Sequence, residues 1–310
     1  MRKVFTIIIV LFVIVAGLII YFSDTVDNQI SILSIHKNYS RLITSDTEQI
    51  TLTIYLSSDD SFITDIESIS SSFIRNDRNQ IETEIKNINN LDYEEDFGEL
   101  KYYAYTFVIG FKNSLHSDSF VEIDNAYLVI NYANGDSIDI EVGNLYLRFS
   151  PILNEMHLDM SRLYAVMKQL ETFEYISGIV IGLDNISMQD LKITSVSSGI
   201  TEMQFDLDNS IMLDIAPEYN QDIDNILGYH YEPINPDIED ETLLLETNHL
   251  IFIPLAYIET IIEINRFPLI IEYQYLGDDY IYMIDDFQYY SDILTLEGNY
   301  GKIREYIYNY

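Results

Sequence analysis

The 310-residue chain carries 51 acidic against 16 basic side chains, a formal net charge of −35 at pH 7, and no cysteine. A field of that sign repels nucleic acid and anionic lipid headgroups, which excludes both as partners. The missing cysteines exclude disulfides and thiol chemistry, and 48% hydrophobic residues on a chain of this length fit two folded domains rather than disorder.

The N-terminus comes first. Val4 to Phe22 form 19 consecutive uncharged positions, broken only by Thr6 and Gly17 among large apolar side chains. About 20 such residues, rising 1.5 Å each in a helix, cross a hydrocarbon core of roughly 30 Å. A cleaved signal peptide has a shorter apolar region of about 7–15 residues. Tyr21, Phe22, Ser23 and Asp24 also lack the small-x-small pattern of a cleavage site. Residues 1–27 therefore predict an uncleaved, single-pass signal anchor that contacts the membrane through residues 4–22. Arg2 and Lys3 precede the run and Asp24 and Asp27 follow it. Positive charge stays cytoplasmic, so everything beyond the anchor is placed outside the cell membrane.

Beyond the anchor, alternation with period two dominates, the signature of half-buried strands. Ile50, Leu52, Ile54 and Leu56 share one face. Tyr103, Tyr105, Phe107, Ile109 and Phe111 form another. Ala126 to Tyr132 and Ile138 to Val142 flank Asn134-Gly135, a strong hairpin signal. Met156, Met160, Leu163, Met167 and Leu170 are then spaced four, three, four, three, which predicts a helix. Pro151 suits its start and Gly178 its stop. Farther on, Met203, Phe205 and Leu207 turn at Asp208-Asn209 into Ile211, Leu213 and Ile215, and Leu269 to Leu276 meets Tyr280 to Asp285 across Gly277-Asp278. The bulk of Leu250 to Ile264 reads as strand.

These signals predict a mostly β chain: an N-terminal single transmembrane helix, then two antiparallel Ig-like β-sandwich domains joined by one connecting helix. The first domain spans 28–150. The second, 151–310, begins with the helix and contains an acidic excursion over about 217–246. Long excursions of this kind are often functional.

Candidate chemistry is sparse. The five histidines, His36, His116, His157, His230 and His249, have no i, i+4 spacing, so each reads as a surface or turn residue. No nucleophile elbow, Walker loop or dinucleotide fingerprint occurs, and no catalytic residue or cofactor is assigned. Asp222-Ile-Asp224-Asn225 opens like a calcium loop, but Leu227 and Pro233 stand where Gly and Glu are required. Asp237, Glu239, Asp240 and Glu241 are the weak calcium candidates, against the simpler reading of a solvated charge run. The abundance of Ile, Asn and Tyr resembles AT-rich bacterial coding. The sequence thus points to a non-enzymatic, membrane-anchored binding or assembly module of a bacterial cell-surface complex, with another surface or membrane protein as partner. A surface hydrolase with paired carboxylates and a calcium-dependent adhesin are the alternatives.

Overall fold

Strands account for nearly all of the regular structure, because the apolar residues alternate and the chain has few helix-length polar stripes. The computed structural model describes residues 29–309, apart from 46–47, 60–61, 113–118, 150–156, 171–172, 188, 214–224, 226–230, 236–241, 246–248 and 290–294. The anchor, residues 1–27, lies outside the described residues. Among those described, no helix is long and apolar enough to cross a membrane.

The first curled sheet draws on β1 (Gln29–Ile35), β2 (Lys37–Ile43), β3 (Gln49–Leu56) and β4 (Ile69–Arg75). It continues with β5 (Gln80–Phe97), β6 (Leu100–Phe111), β7 (Ser119–Tyr132) and β8 (Ser137–Phe149), and is completed by the last strand, β18 (Ile303–Asn309). Its order is β18-β1-β3-β6-β5-β4-β7-β8-β2. His36 alone separates β1 from β2, yet these strands stand near opposite ends of that order. Two Cα–Cα steps span under about 8 Å, so the sheet must curl until its ends nearly meet. A sharp bend that sends one strand into a second layer is a standard way of making such a corner.

The corner is held by the sheet's far end. The His36 N–H donates to the Lys302 carbonyl (2.8 Å), and His36 Nδ1 lies 2.7 Å from Glu141 Oε1 on β8. Strand β2 then runs parallel to β8 from Lys37↔Gly143 to Ile43↔Phe149. Gly143 has φ +115°, and a Cβ there would lie 1.9 Å from the Lys37 carbonyl oxygen. Only glycine permits that approach.

The expected faces of β3, β6 and the β7–β8 hairpin are found: Leu52, Ile54, Phe107, Ile109, Leu128, Ile130 and Ile140 are fully buried in one core. Asn134 and Gly135 make the turn, with Gly135 N–H donating to Tyr132 O. A smaller cluster, Leu33, Tyr55, Tyr102 and Leu296, fills the other face beneath Leu91, Tyr93 and Phe97 of the long β5–β6 arm.

The second curled sheet contains β9 (Leu158–Leu170), β10 (Phe173–Asn185), β11 (Leu191–Ser197), β12 (Met203–Phe205) and β13 (Ile211–Leu213). Strands β14 (Leu243–Leu245), β15 (His249–Tyr257), β16 (Arg266–Tyr275) and β17 (Asp278–Gln288) complete it. Its main order is β17-β16-β11-β12-β15-β10-β9. The β16–β17 hairpin is found, with its turn one residue earlier than the expected Gly277-Asp278: Leu276 and Gly277, both with positive φ, make it, and Asp278 already pairs with Tyr275.

Two expectations are corrected. From Leu158 to Leu170, where the spacing predicts a helix, the chain is strand β9, antiparallel to β10, and Met156 lies outside the described residues. The three-residue step from Met160 to Leu163 is strand alternation interrupted by a bulge. The register slips between Met160↔Leu183 and Arg162↔Gly182, so Ser161 is the extra residue, and the apolar parity changes from Leu158 and Met160 to Leu163, Ala165 and Met167. Gly178 is accordingly no helix stop. It lies inside β10 opposite Pro254, where an added Cβ would fall 2.6 Å from Phe252 Cε2.

The second correction concerns Asp208-Asn209. The chain turns there, but β12 and β13 do not pair with each other. Both pair with the same edge of β15, Met203↔Tyr257 to Phe205↔Leu255 and then Ile211↔Phe252 to Leu213↔Leu250. They are one strand interrupted by a loop-out. Pro254, which has no N–H to give, sits at the interruption. The fully buried Asp206 holds the loop, accepting from Asn209 N (3.1 Å), Asn209 Nδ2 (2.9 Å) and the Tyr231 hydroxyl (3.0 Å).

Candidate functional site

The site is a cleft of about 510 Å³ where edge strand β2 of the first sheet faces the start of β16 and the end of β17 in the second. Apolar packing fixes the two walls: Leu42 of β2 is buried against Ile270 and Met283. Polar bonds extend the seam. Ser40 Oγ donates to the Ser198 carbonyl (3.0 Å) and Asn38 Nδ2 to the Glu263 carbonyl (2.8 Å). Residues 36–41 form one wall, Glu263 to Arg266 with Gln288 the other, and Thr51, Thr53 and Thr106 contribute hydroxyls. Asn299 and Lys302, from the return to β18, complete it. Tyr289, beside that wall, bonds the Ile264 carbonyl through its hydroxyl. Burial, and next the Glu263 charge, push its phenol upward, so it stays a neutral donor.

The electrostatics reverse those of the chain. Acids outnumber bases 51 to 16 overall, but among the described residues the lining holds Lys37, Arg41, Arg266 and Lys302 beside the carboxylate of Glu263. Asp286 sits between two guanidinium groups, 2.7 Å from Arg41 Nη1 and 3.4 Å from Arg266 Nη1. Lys302 Nζ pairs with Glu263 Oε2 at 2.6 Å. Behind the corner, Glu141 Oε1 also receives Arg304 Nε at 3.3 Å. The arrangement presents cationic and neutral hydrogen-bond donors to whatever enters. It suits holding a ligand.

A second polar contact joins the sheets elsewhere. Thr201 Oγ1 lies 3.2 Å from Glu122 Oε2 and 3.0 Å from Glu202 Oε2. Burial first, then the charges of Glu202 and Asp124, raise the Glu122 carboxyl above its ordinary range.

The calcium candidates Asp237, Glu239, Asp240 and Glu241 all lie outside the described residues, as does most of the excursion around them. Among the described residues, no group of three or more His, Asp or Glu side chains is arranged to hold a metal ion. The histidines are placed individually. His36 is the corner of the first sheet, His157 stacks on Tyr275 at 4.2 Å between ring centroids, and His249 opens β15. His116 and His230 lie outside the described residues. Sequence reasoning missed the cleft because its walls lie more than two hundred residues apart. The one available signal was the scarcity of Lys and Arg, which makes any convergence of them conspicuous.

No protein-family model matches the chain, and no curated protein matches it in sequence. Among solved structures, it aligns with the C-terminal domain of the Streptococcus agalactiae antigen I/II polypeptide BspA at 9% identity and TM-score 0.19, over 83% of this chain and 99% of that one. The C-terminal domain of the Streptococcus pyogenes antigen I/II-family protein AspA aligns at 8% identity and TM-score 0.19, over 83% and 98%. A chicken TCR aligns at 10% identity and TM-score 0.21, over 84% and 100%.

Proposed function

We propose that this protein is a membrane-anchored, extracytoplasmic binding or assembly module of a bacterial cell-surface complex, non-enzymatic, with two Ig-like β-sandwich domains carried on a single N-terminal helix. The observation that carries the proposal is the uncharged run Val4 to Phe22 behind Arg2 and Lys3, followed only seven residues later by the first strand. Those seven residues reach at most about 25 Å, so the start of β1 stays close to the bilayer. Asn309 pairs with Gln29, which brings the end of β18 to the same membrane-facing side.

A binding role is supported by the content of that cleft, where donors and cations converge, rather than by a nucleophile with its base. Another surface or membrane protein is the partner class that suits an anchored module, and the acidic exterior disfavours nucleic acid. The test is alkaline extraction of membranes, followed by protease treatment of intact spheroplasts and sequencing of the mature N-terminus. The expected result is a chain retained in the membrane pellet, starting before Val4 and digested from outside. Release by alkali, or a mature N-terminus after Ser23, would overturn the proposal.

A further inference from the structure

We infer that the tip of the β5–β6 arm is a docking point for a basic segment of a partner protein, taking an arginine side chain between the Glu95 carboxylate and the Tyr300 ring. The inference rests on the binding role proposed above and gives its partner a chemistry, but it does not depend on the anchor. The tip and the 3-10 segment Glu297–Lys302 enclose a pocket of about 570 Å³, lined by Glu95, Asp96, Phe97, Gly98, Glu297 and Tyr300. Leu296, just before that segment, ties the two together by donating its N–H to Glu95 Oε2 (2.6 Å). The other carboxylate oxygen, Oε1, is buried and accepts no hydrogen bond. Buried acceptors are nearly always satisfied, and one left without a donor is costly. The pocket therefore holds an unmet demand for an N–H group.

Charge and shape select the donor. Glu95, Asp96 and Glu297 make half of the lining acidic. The bases that flank it in the chain are engaged with acids outside it: Lys101, opposite Asp96 on the ladder, pairs with Glu94, and Lys302 pairs with Glu263. Outside the described residues the chain has no Lys or Arg except Arg2 and Lys3, so the other omitted segments bring neither to the pocket. Among the described residues no three acidic side chains are arranged for a metal ion, which leaves an organic cation. Tyr300 is 77% exposed and meets Phe97 at 5.9 Å between ring centroids, with the planes 50° apart. Leu100, paired with Phe97, is also exposed. Apolar side chains left in water within an acidic rim are the makeup of a protein interface. A guanidinium stacks on an aromatic face and donates in its own plane to a carboxylate, so one arginine can cover Tyr300 and supply Oε1. An ammonium is a strongly hydrated point charge without that plane. The acidic exterior attracts such a partner from a distance.

The experiment uses the full chain in a polyoxyethylene detergent at physiological salt, with fluorescence anisotropy of a labelled peptide of alternating glycine and arginine. Two comparison peptides carry lysine, or citrulline as the uncharged isostere, in place of arginine. The arginine peptide should bind saturably, the lysine peptide several-fold more weakly, and the citrulline peptide not at all. Glu95→Gln should weaken the arginine peptide by about tenfold, the usual consequence of losing one charge-assisted hydrogen bond. It should do so without lowering Tm, because the amide oxygen still accepts from Leu296, and misfolding cannot produce that combination. Tyr300→Ala should cost about threefold, and Tyr300→Phe, which keeps the ring, should cost nothing. Glu84→Gln, which removes a charge about 40 Å back along β5, should leave binding unchanged. Equal binding of the lysine and arginine peptides, loss of all binding at physiological salt, or indifference to Glu95→Gln and Tyr300→Ala would overturn the inference. Failure here with an intact membrane tether would leave the anchored module standing, and success with a cleaved N-terminus would do the reverse.

Discussion

Gly178→Ala should destabilise the protein far more than an alanine for glycine usually does inside a strand. The new Cβ would lie 2.6 Å from Phe252 Cε2 and 2.8 Å from the Ile253 carbonyl oxygen, both on the paired strand β15. Phe252 is fully buried beside Val166, Val180 and Tyr231, so its ring has no space into which to swing. Forcing one extra carbon into such a core costs about 1–3 kcal/mol. Against this, alanine restricts the unfolded chain and returns about 0.4–1 kcal/mol. The net loss is about 1–2 kcal/mol, which for a chain of this size lowers Tm by roughly 2–4 °C. Urea and thermal melts followed by tyrosine fluorescence would measure it. The ring is the proposed cause, so Gly178→Ala should cost at least about 0.5 kcal/mol less in a Phe252→Leu background. A neutral or stabilising Gly178→Ala, or strict additivity with Phe252→Leu, would refute the reasoning.

Three further outcomes are expected. Asp206→Ala should cost about 1–3 kcal/mol in denaturant melts, because it removes the buried acceptor shared by the Tyr231 hydroxyl, the Asn209 N–H and the Asn209 amide. Glu122→Gln should stabilise the protein at neutral pH and converge with the parent on acidification. Burial raises the folded-state carboxyl pKa, so the contribution of Glu122 is favourable below its unfolded pKa and is lost as pH rises through the folded one. Melting both proteins from pH 4 to pH 8 checks the sign. Removing residues 303–310 should open the outer edge of β1 and uncover the core under Tyr306 and Tyr308, giving concentration-dependent aggregation by light scattering.

How much was legible in the sequence depended on whether a strand had one wet face and a regular ladder. The faces of β3 and β6 and the turns at Asn134-Gly135 and Gly277 follow directly from alternation and turn chemistry. Strand β9 did not, because its bulge at Ser161 puts a three-residue step into a period of two and so imitates a helix. The outer half of β5 was hidden for another reason. From Asn87 to Phe97 none of its side chains is fully buried, so neither face stands out by its polarity. Strands β1, β2 and β18 depend on partners far along the chain, Gln29 with Asn309 and Lys37 with Gly143, for which no local pattern exists. The cleft shares that property, since Arg41 and Arg266, far apart in the chain, meet at Asp286.

The absence of cysteine makes the most direct test of the tethered arrangement clean. Single cysteines would be introduced by Glu99→Cys at the tip of the β5–β6 arm, by Asp279→Cys in the second sheet, and by insertion after Met1. A membrane-impermeant maleimide would then be applied to intact spheroplasts. The first two should label at once, and the third only after permeabilisation, on a full-length chain. Labelling of the inserted cysteine from outside, or protection of Glu99→Cys and Asp279→Cys until the membrane is breached, would contradict the account.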